Sequence, residues 1–182
     1  PLTIGFNNSS TGATTYTWSY GDGSPTDLSH SPNHTFVNSG SANTTYTTYL
    51  WVENTFGCKD TTAGFPLVFH RPLPSFTVDA INGCSPLNVN FTNTSTQSLN
   101  YSWILGNGTT SSQLNTSTTF TNNGSSTITY TTTLIASTFN GCIYWVKQSI
   151  NVFNNPIADF NVDTPGCSPK TLTFSNNSIG GA

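Results

Sequence analysis

The segment Trp18–Gly23 reads WSYGDG, and the segment Trp103–Gly108 repeats its pattern as WILGNG. Trp18 and Trp103 lie 85 positions apart. In both copies a tryptophan leads into a Gly-Asx-Gly turn, in which Asx side chains bond backbone N–H groups and glycine adopts a positive φ. Aromatic and Thr-rich stretches that end in such turns indicate a β-sheet protein.

Two further landmarks recur with almost the same period. The tetrapeptide GCSP occurs at Gly83–Pro86 and at Gly166–Pro169, with the two cysteines 83 positions apart. Cys58 follows a glycine and is repeated 84 positions later as Cys142. Three independent landmarks with one period predict a tandem array of modules, and such arrays serve reach or valency more often than catalysis.

Short proline-containing junctions separate the repeats. They read RPLP at 71–74 and NPIA at 155–158, and linkers this short predict a semi-rigid rod. We expect a repeat without its opening strand at 1–73, a complete repeat at 74–157, and the first two strands of a third repeat at 158–182. Because two strands cannot bury a core, we expect the third repeat to be completed by the same polypeptide or by a neighbouring chain.

Apolar residues alternate with Thr, Ser or Asn over short stretches, and no stretch has helical periodicity. In the second repeat this pattern predicts seven strands, at Ser75–Asp79, Leu87–Asn93, Tyr101–Leu105, Ser111–Leu114, Ser117–Thr121, Thr127–Ser137 and Ile143–Phe153. Seven short strands separated by turns predict an all-β fold of tandem, immunoglobulin-like antiparallel β-sandwiches. The expected core residues are Trp18, Tyr46, Phe91, Trp103 and Tyr130.

Composition excludes two classes of function. Charged residues make up 6% of the chain, against about 25% in ordinary soluble domains, and the net charge is −3. Because no basic stripe is available to neutralise phosphates, nucleic-acid binding is excluded. No apolar run reaches the roughly 20 residues that cross a bilayer, so we expect no membrane span in this segment.

The motifs resemble those of the PKD (polycystic kidney disease) repeat. The similar segments are WSYGDGS at Trp18–Ser24, PNHTF at Pro32–Phe36 and the strand Tyr46–Asn54. The second repeat departs from the pattern where Asn107 replaces Asp22. The added cysteine segments are similar to PKD repeats of long surface adhesins of Bacteroidota that the type IX system exports.

That resemblance implies an extracellular or cell-surface array that is not an enzyme and has no cofactor. It would act as a spacer rod, a filament or a surface adhesin, and its partners would be neighbouring repeats of the same or identical chains, with glycans or surfaces. The alternative is a carbohydrate-directed accessory module of a secreted hydrolase. In that case Trp51, with Tyr49 and Trp145, would form an exposed platform for sugars; otherwise alternate members of this group face the core.

The four cysteines are Cys58, Cys84, Cys142 and Cys167. No C-x-x-C pair occurs, which argues against zinc and dithiol redox sites and favours disulfides in an extracytoplasmic protein. We expect Cys84 in the turn between the first two strands and Cys142 in the last hairpin, at opposite ends of a sandwich. Three alternatives stay open: bridges across the junctions to cysteines of neighbouring repeats, a Cys84–Cys142 bridge, and free thiols.

Asp22 is a weak candidate metal ligand, for calcium. Calcium takes about six to eight oxygen ligands, usually from several carboxylates, and Asn107 occupies the same turn position in the second repeat. The alternative is an ordinary turn in which Asp22 bonds backbone N–H groups. Since no nucleophile or carboxylate pair is evident beside His34 or the other two histidines, we expect no catalytic residues.

Overall fold

The computed structural model describes residues 1–163 and 165–179, and this part of the chain contains seventeen β-strands and no helix. The expected all-β class is confirmed. Two compact units make up the chain: unit 1 comprises Pro1–Pro72, Gln97–Leu99 and Ser137–Ile143, and unit 2 comprises Leu73–Thr96, Asn100–Ala136 and Tyr144–Ala182. Among the residues described, no helix has the length and apolar character needed to cross a membrane.

Unit 1 contains seven strands in three antiparallel sheets. In chain order they are β1 (Leu2–Gly5), β2 (Thr15–Ser19), β3 (Asn33–Phe36), β4 (Thr44–Thr45), β5 (Thr48–Glu53), β6 (Lys59–Gly64) and β7 (Leu67–Val68). β1 pairs with β3, β4 pairs with β7, and β5 lies between β2 and β6. In β5 buried and exposed side chains alternate at Thr48–Trp51, whereas β6 is exposed along its whole length.

The core of unit 1 is mostly aromatic. It consists of Trp18, Tyr20, Phe36, Leu50 and Val68. Phe6 packs against this group, with its ring centroid 5.2 Å from that of Trp18 and 5.6 Å from that of Tyr20, both in tilted arrangements. Large rings remove much apolar area from water, at about 25 cal/mol per Å², so a few of them stabilise a small unit.

Ten strands follow, and most of their residues belong to unit 2. They are β8 (Phe76–Val78), β9 (Asn82–Cys84), β10 (Leu87–Asn93), β11 (Asn100–Ile104), β12 (Thr110–Ser111), β13 (Thr116–Phe120), β14 (Ile128–Ser137), β15 (Ile143–Phe153), β16 (Phe160–Val162) and β17 (Phe174–Asn176). Their sheets have the orders β13-β10-β8, β12-β11-β14-β15-β9 and β16-β17.

The core of unit 2 draws side chains from both larger sheets, as in a β-sandwich. Its buried members are Val89, Phe91, Trp103, Leu105, Phe120, Leu134, Ile150 and Val152. Trp103 and Phe120 are fully buried, and Phe91 is 1% exposed. Tyr130 is partly buried and packs against this core, as Tyr46 does against the core of unit 1.

The predicted strands of the second repeat are confirmed in position. The bounds of β10 and β15 are the predicted ones. Those of β8, β11 and β13 differ by one residue at each end, and β14 begins one residue later than predicted. β12 overlaps the strand predicted at Ser111–Leu114 only at Ser111. One strand was not predicted: β9 pairs in parallel with the last residues of β15. The placement of Cys84 in a turn is therefore wrong, because Cys84 is the last residue of β9.

The same side-chain contacts fix the core of each unit. The indole N–H groups of Trp18 and Trp103 donate to backbone carbonyls 11 and 10 residues away, at 3.1 and 3.0 Å. The hydroxyls of Tyr46 and Tyr130 donate to carbonyls nine residues away, at 3.1 and 2.6 Å, and each ring stacks on a core phenylalanine. Each of these four side-chain groups thus has a partner, which avoids the cost of an unmade hydrogen bond.

Candidate functional site

An exposed aromatic pair lies on the outer face of the sheet β2-β5-β6. In β5, Thr48 and Leu50 point inward, whereas Tyr49 is 40% and Trp51 is 43% exposed. The alternative in which alternate members of this aromatic group face the core is therefore wrong for Tyr49 and Trp51. Thr48 can occupy an inward position because its hydroxyl donates to the carbonyl oxygen of Tyr20. We call the surface around Tyr49 and Trp51 the outer aromatic face.

The register of the three strands places a small residue on each side of both rings. The cross-strand rows are Thr17, Trp51 and Thr61, and then Ser19, Tyr49 and Ala63. The ring centroids of Tyr49 and Trp51 are 5.4 Å apart, with the planes only 20° from parallel. Short neighbours cannot cover such rings, so the aromatic surface stays open along the middle strand.

Polar groups border one end of the outer aromatic face. Lys59 Nζ lies 3.4 Å from Glu53 Oε2, and both side chains are exposed, so the ion pair adds little stability. A shallow depression of about 280 Å³ is lined by Thr15, Thr17, Trp51, Val52, Glu53 and Lys59. This combination of ring surface with hydroxyl, carboxylate and ammonium groups is suited to a polar ligand with an apolar face.

Trp145 does not belong to the outer aromatic face. It lies on β15 and is 57% exposed, and Lys147 Nζ lies 4.8 Å from its ring centroid. Ammonium groups at this distance are attracted by the electron-rich face of an indole. Trp145 is therefore exposed like Trp51 but lies in a different environment, so it can serve as a control in experiments on Trp51.

Asp22 lies in a turn where hydrogen bonds already engage its carboxylate. Its Oδ1 accepts bonds from the backbone N–H and the hydroxyl of Ser24, and its Oδ2 lies 2.7 Å from His34 Nε2. The His34 ring stacks on Tyr20, with centroids 3.7 Å apart. Burial raises the pKa of Asp22, but the hydrogen bonds from Ser24 and His34 outweigh it and lower the pKa to about 2. Burial, followed by the charges of Asp27 and Asp22, raises the pKa of Tyr20 to about 12.

The turn at Asn107 makes the same bonds without a charge. Asn107 Oδ1 accepts bonds from the backbone N–H and the hydroxyl of Thr109, and Asn107 Nδ2 donates to Thr118 Oγ1 at 2.9 Å. The amide therefore reproduces the contacts that Asp22 makes with Ser24 and His34. Among residues 1–163 and 165–179, no group of three or more His, Cys, Asp or Glu side chains could hold a metal ion.

All four cysteines are unpaired, and Cys58, Cys84 and Cys167 are exposed. Cys84 lies opposite Phe153, the last residue of β15, whereas Cys142 directly precedes the first residue of that strand. Eleven extended residues span about 35 Å, far more than the roughly 5.5 Å between the Cα atoms of a disulfide. This geometry is incompatible with a Cys84–Cys142 bond.

Two buried asparagines were not identified from the sequence. Asn38 Nδ2 donates to the carbonyls of Ala42 and Val68, and its Oδ1 accepts a bond from the N–H of Gly40. Asn122 repeats all three bonds in unit 2, at 2.7 to 2.9 Å. Each asparagine follows a buried phenylalanine by two positions and precedes a glycine by two. This repeated Phe-x-Asn-x-Gly spacing is the sequence pattern from which the two buried asparagines could have been predicted.

Residues 1–67 match the family model described as PKD domain. The match covers less than half of the chain. The matched residues include the Asp22 turn, the Tyr46 contact and the outer aromatic face. No curated protein matches the chain.

Solved structures similar to the chain include two PKD domains. The PKD1 domain of the Vibrio cholerae metalloprotease PrtV is 26% identical over 45% of this chain and 96% of its own, with a TM-score of 0.38. The PKD1 domain of Vibrio anguillarum Epp is 23% identical over 46% of this chain and 94% of its own, with a TM-score of 0.38. Fibronectin(III)-like modules of Clostridium thermocellum CbhA are 12% identical over 84% of both chains, with a TM-score of 0.37.

Proposed function

We propose that the chain is a non-catalytic structural and adhesive segment of an extracellular or cell-surface protein. Its repeats, at 1–73, 74–157 and 158–182, would form a spacer rod or a filament. The observation that carries the proposal is the replacement of Asp22 and His34 by Asn107 and Thr118 with the same hydrogen bonds. Since the neutral turn keeps the geometry, the ionisable pair supports the fold and is not needed for a reaction.

The PKD domain at residues 1–67 supports the extracellular location, because such domains occur in secreted and surface proteins. The finer assignment is a surface adhesin of the Bacteroidota type, exported by the type IX system, and it rests on the similarity of the cysteine segments. The exposed thiols of Cys58, Cys84 and Cys167 are accessible for bridges to neighbouring repeats. Such bridges would limit the extension of the rod under load.

The mechanical role is tested by pulling on the chain between its termini in a single-molecule force experiment. We expect two separate unfolding events, because each unit has its own core. Each event should release a length on the order of 250 Å, since extended residues span about 3.3–3.6 Å each. A single event, or extension without measurable resistance, would contradict the role of a load-bearing array.

The outer aromatic face supports a second candidate function, which is a carbohydrate-directed accessory module. Tyr49 and Trp51 are exposed on the same face of β5, and threonine hydroxyls lie beside Trp51 on both neighbouring strands. Sugar rings present apolar C–H faces and hydroxyl edges, which match this combination of surfaces. In this function the PKD domain would hold a catalytic partner on a polysaccharide.

Replacement of Trp51 tests the accessory function. We expect Trp51→Ala to lower retention of the chain on insoluble cellulose or chitin at least tenfold. The matched control is Trp145→Ala, which removes a somewhat more exposed indole from another strand and should leave retention unchanged. Both variants should unfold at the wild-type temperature. Retention that is lost in neither variant or in both would contradict a site at Trp51.

A further inference from the structure

One edge of the larger sheet of unit 2 has no partner strand along most of its length. In the sheet order β12-β11-β14-β15-β9, β9 pairs only with Asn151–Phe153, at the end of β15. Among the residues that the structure describes, no strand pairs with the same edge of β15 between Ile143 and Ser149. We call the stretch Ile143–Ser149 the open edge of β15. Both strands that do pair with β15 lie inside the described range.

The main chain of the open edge presents hydrogen-bonding groups to solvent. Asn151 donates its N–H to the carbonyl of Ile81 on the β9 side of the strand, at 2.9 Å. Because this direction alternates along a strand, every second residue before Asn151 also points its N–H and C=O groups away from β14. These residues are Ile143, Trp145, Lys147 and Ser149. Unpaired groups of this kind are a template for pairing with another strand.

The side chains of the open edge do not prevent such pairing. Residues 143–148 read IYWVKQ, and Ile143 is 65% and Trp145 is 57% exposed. β6 is the corresponding strand of unit 1, 84 positions earlier, and it is also an edge strand of its sheet, but it reads KDTTAG. Charged side chains such as its lysine and aspartate are a common protection of an edge against pairing. The chain therefore protects one edge and leaves the equivalent one apolar.

The open edge is complementary to itself. Its midpoint is Val146, so two copies that paired antiparallel along the whole open edge would have Val146 opposite Val146 on a two-fold axis. In that register Trp145 of each copy would lie opposite Lys147 of the other, on the exposed face. Side chains that lie opposite each other on one face have Cβ atoms about 4.5–5.5 Å apart.

The contact between Lys147 and Trp145 within one chain shows that these side chains fit together. Lys147 Nζ lies 4.8 Å from the ring centroid of Trp145, two positions away on the same face. An opposite residue on a paired strand is closer than a residue two positions along the strand, so the same attraction between ammonium and indole is within reach across the axis. The register therefore supplies this contact twice, and the lysine that would repel an unrelated strand becomes a partner.

The buried face of the strand favours the same register. Val146 packs against the core of unit 2 and is only partly buried. Opposite residues that do not exchange main-chain hydrogen bonds approach most closely, at about 4.5 Å between Cα atoms, and the two Val146 residues form such a pair. Each valine would thus cover the apolar surface that the other leaves exposed, and the two cores would become continuous.

We propose that the open edge of β15 is a homotypic interface, at which two copies of this chain pair their β15 strands antiparallel around Val146. The contact is isologous, so it closes as a dimer and does not propagate. A strand pair of this length buries less than the roughly 1,200 Å² of standard interfaces, so the dissociation constant lies in the micromolar range. The inference deepens the proposed structural function, on which it rests, by naming a partner that joins two rods side by side.

A charge exchange between two variants tests the register. Trp145→Lys places a lysine opposite Lys147 of the second copy, and Lys147→Glu places a carboxylate opposite the indole. Each variant alone should raise the dissociation constant of the dimer by about tenfold or more, because each substitution acts twice in a two-fold interface. Mixed in equal amounts, the two variants should again form a 1:1 dimer, since the introduced lysine of one lies opposite the introduced glutamate of the other.

Sedimentation velocity at concentrations on both sides of the dissociation constant measures these effects. A reductant is present throughout, because the exposed Cys58, Cys84 and Cys167 could otherwise link copies. The matched control is Ala63→Glu, which adds the same charge at the corresponding position of β6 and should leave the dimer unchanged. All three variants should melt at the wild-type temperature. A wild type that stays monomeric, a dimer that both variants keep, or a mixture that stays monomeric would overturn the proposal.

Amide hydrogen exchange, followed residue by residue, provides a readout that needs no variant. Raising the concentration of the wild-type chain should slow exchange of the N–H groups of Trp145 and Lys147. The N–H groups of Thr61 and Ala63, at the corresponding positions of β6, should exchange at the same rate at every concentration. Exchange at Trp145 that did not depend on concentration would contradict pairing through the open edge.

The interface and the proposed functions fail separately. The force experiment uses single chains, and retention on polysaccharide is measured below the dissociation constant of the dimer, so neither depends on pairing. A monomeric chain with two unfolding events would overturn the interface alone. A dimer that unfolds in a single event would overturn the load-bearing array alone.

Discussion

The two units have similar buried cores but differ in the continuity of the last strand that covers the core. In unit 2, β15 runs unbroken for 11 residues, whereas the corresponding stretch of unit 1 is divided into β6 and β7 at Phe65 and Pro66. Proline has no N–H group and removes a hydrogen bond from the sheet; 84 positions later, Ile150 is fully buried within β15. Val68 nevertheless stays buried after the break. Packing of side chains in the core therefore keeps the equivalent residue buried even where the strand is interrupted.

The core tryptophans give the largest expected difference between the units. Replacement of a buried tryptophan by alanine lowers the free energy of unfolding by about 3–5 kcal/mol. We expect Trp103→Ala to destabilise unit 2 by about 5 kcal/mol, because Phe76 and the sandwich enclose it. We expect Trp18→Ala to destabilise unit 1 by about 3 kcal/mol, because an apolar groove of about 180 Å³, lined also by Phe6 and Leu50, already opens beside it. Urea unfolding of both variants measures the difference, and equal losses would show that the groove has no energetic consequence.

Substitution of the glycines in the Gly-Asx-Gly turns should have the next largest effect on stability. Gly106 has a φ of +83°, and an added Cβ would lie 2.6 Å from the carbonyl oxygen of Thr131. Gly108 has a φ of +87° but has open space around it. We expect Gly106→Ala to cost about 3 kcal/mol and Gly108→Ala about 1 kcal/mol, since only the first adds a clash to the strain.

Thermal unfolding of Gly106→Ala and Gly108→Ala separates two effects. Both variants strain a backbone with positive φ, but only Gly106→Ala adds a steric clash. Gly21 repeats the close approach in unit 1, where an added Cβ would meet the carbonyl of Thr47, and Gly23 repeats the open position. The same ranking should therefore hold in both units. If the alanine variants at Gly106 and Gly108 were equally unstable, the packing of the turn against the neighbouring strand would not matter.

Acid should affect unit 1 more than unit 2. The pKa of Asp22 is lowered to about 2, so its stabilisation is complete above its ordinary value near 4 and is lost as the pH falls towards 2. Because the side chain is only 15% exposed, the loss is about 2 kcal/mol. Hydrogen bonds also lower the pKa values of the exposed Asp27 and Asp79, which give each unit a smaller acid dependence.

Asp22→Asn sharpens this comparison, because it gives unit 1 the residue that unit 2 has at Asn107. Melting temperatures between pH 4 and pH 2 should then fall by similar amounts in the two units. The wild-type protein, in contrast, should lose more stability in unit 1 than in unit 2. A variant that kept the full acid sensitivity of unit 1 would show that the carboxylate of Asp22 is not its source.

The cysteines should give the smallest effect. Cys84 lies beside the last residue of β15, and Cys142 directly precedes its first residue. Because the length of the strand separates them, oxidation cannot bridge them within one chain. We expect a reductant to leave the melting temperature of the monomer unchanged. Peptide mapping after mild oxidation should detect no Cys84–Cys142 peptide, and finding one would mean that β15 does not keep this length in solution.

Much of the fold could be predicted because strand patterns are local. Leu87–Asn93 alternates cleanly between apolar and polar residues, and the strand predicted there has the observed bounds. β9 could not be predicted from Asn82, Gly83 and Cys84, since these residues have no alternation and favour turns. This strand exists because it pairs in parallel with the end of β15, a partner about 70 residues away in the sequence.

The outer aromatic face shows why a site is harder to predict than a strand. Residues 49–52 read YLWV, and a run of apolar residues leaves open which alternate set faces the core. In the structure Thr48 faces the core, because its buried hydroxyl donates to a backbone carbonyl. Which alternate residues of this strand face inward thus depends on a hydrogen bond between distant segments, and the local sequence pattern does not contain that information.

The buried amides of Asn38 and Asn122 also bear on where such a protein can work. Each holds three backbone groups of its unit with neutral hydrogen bonds. Dissolved ions weaken contacts between exposed charges but have little effect on buried neutral ones. Together with a charged fraction of 6%, these contacts make the units nearly indifferent to salinity. Each unit would therefore keep nearly the same stability in fresh water and in seawater.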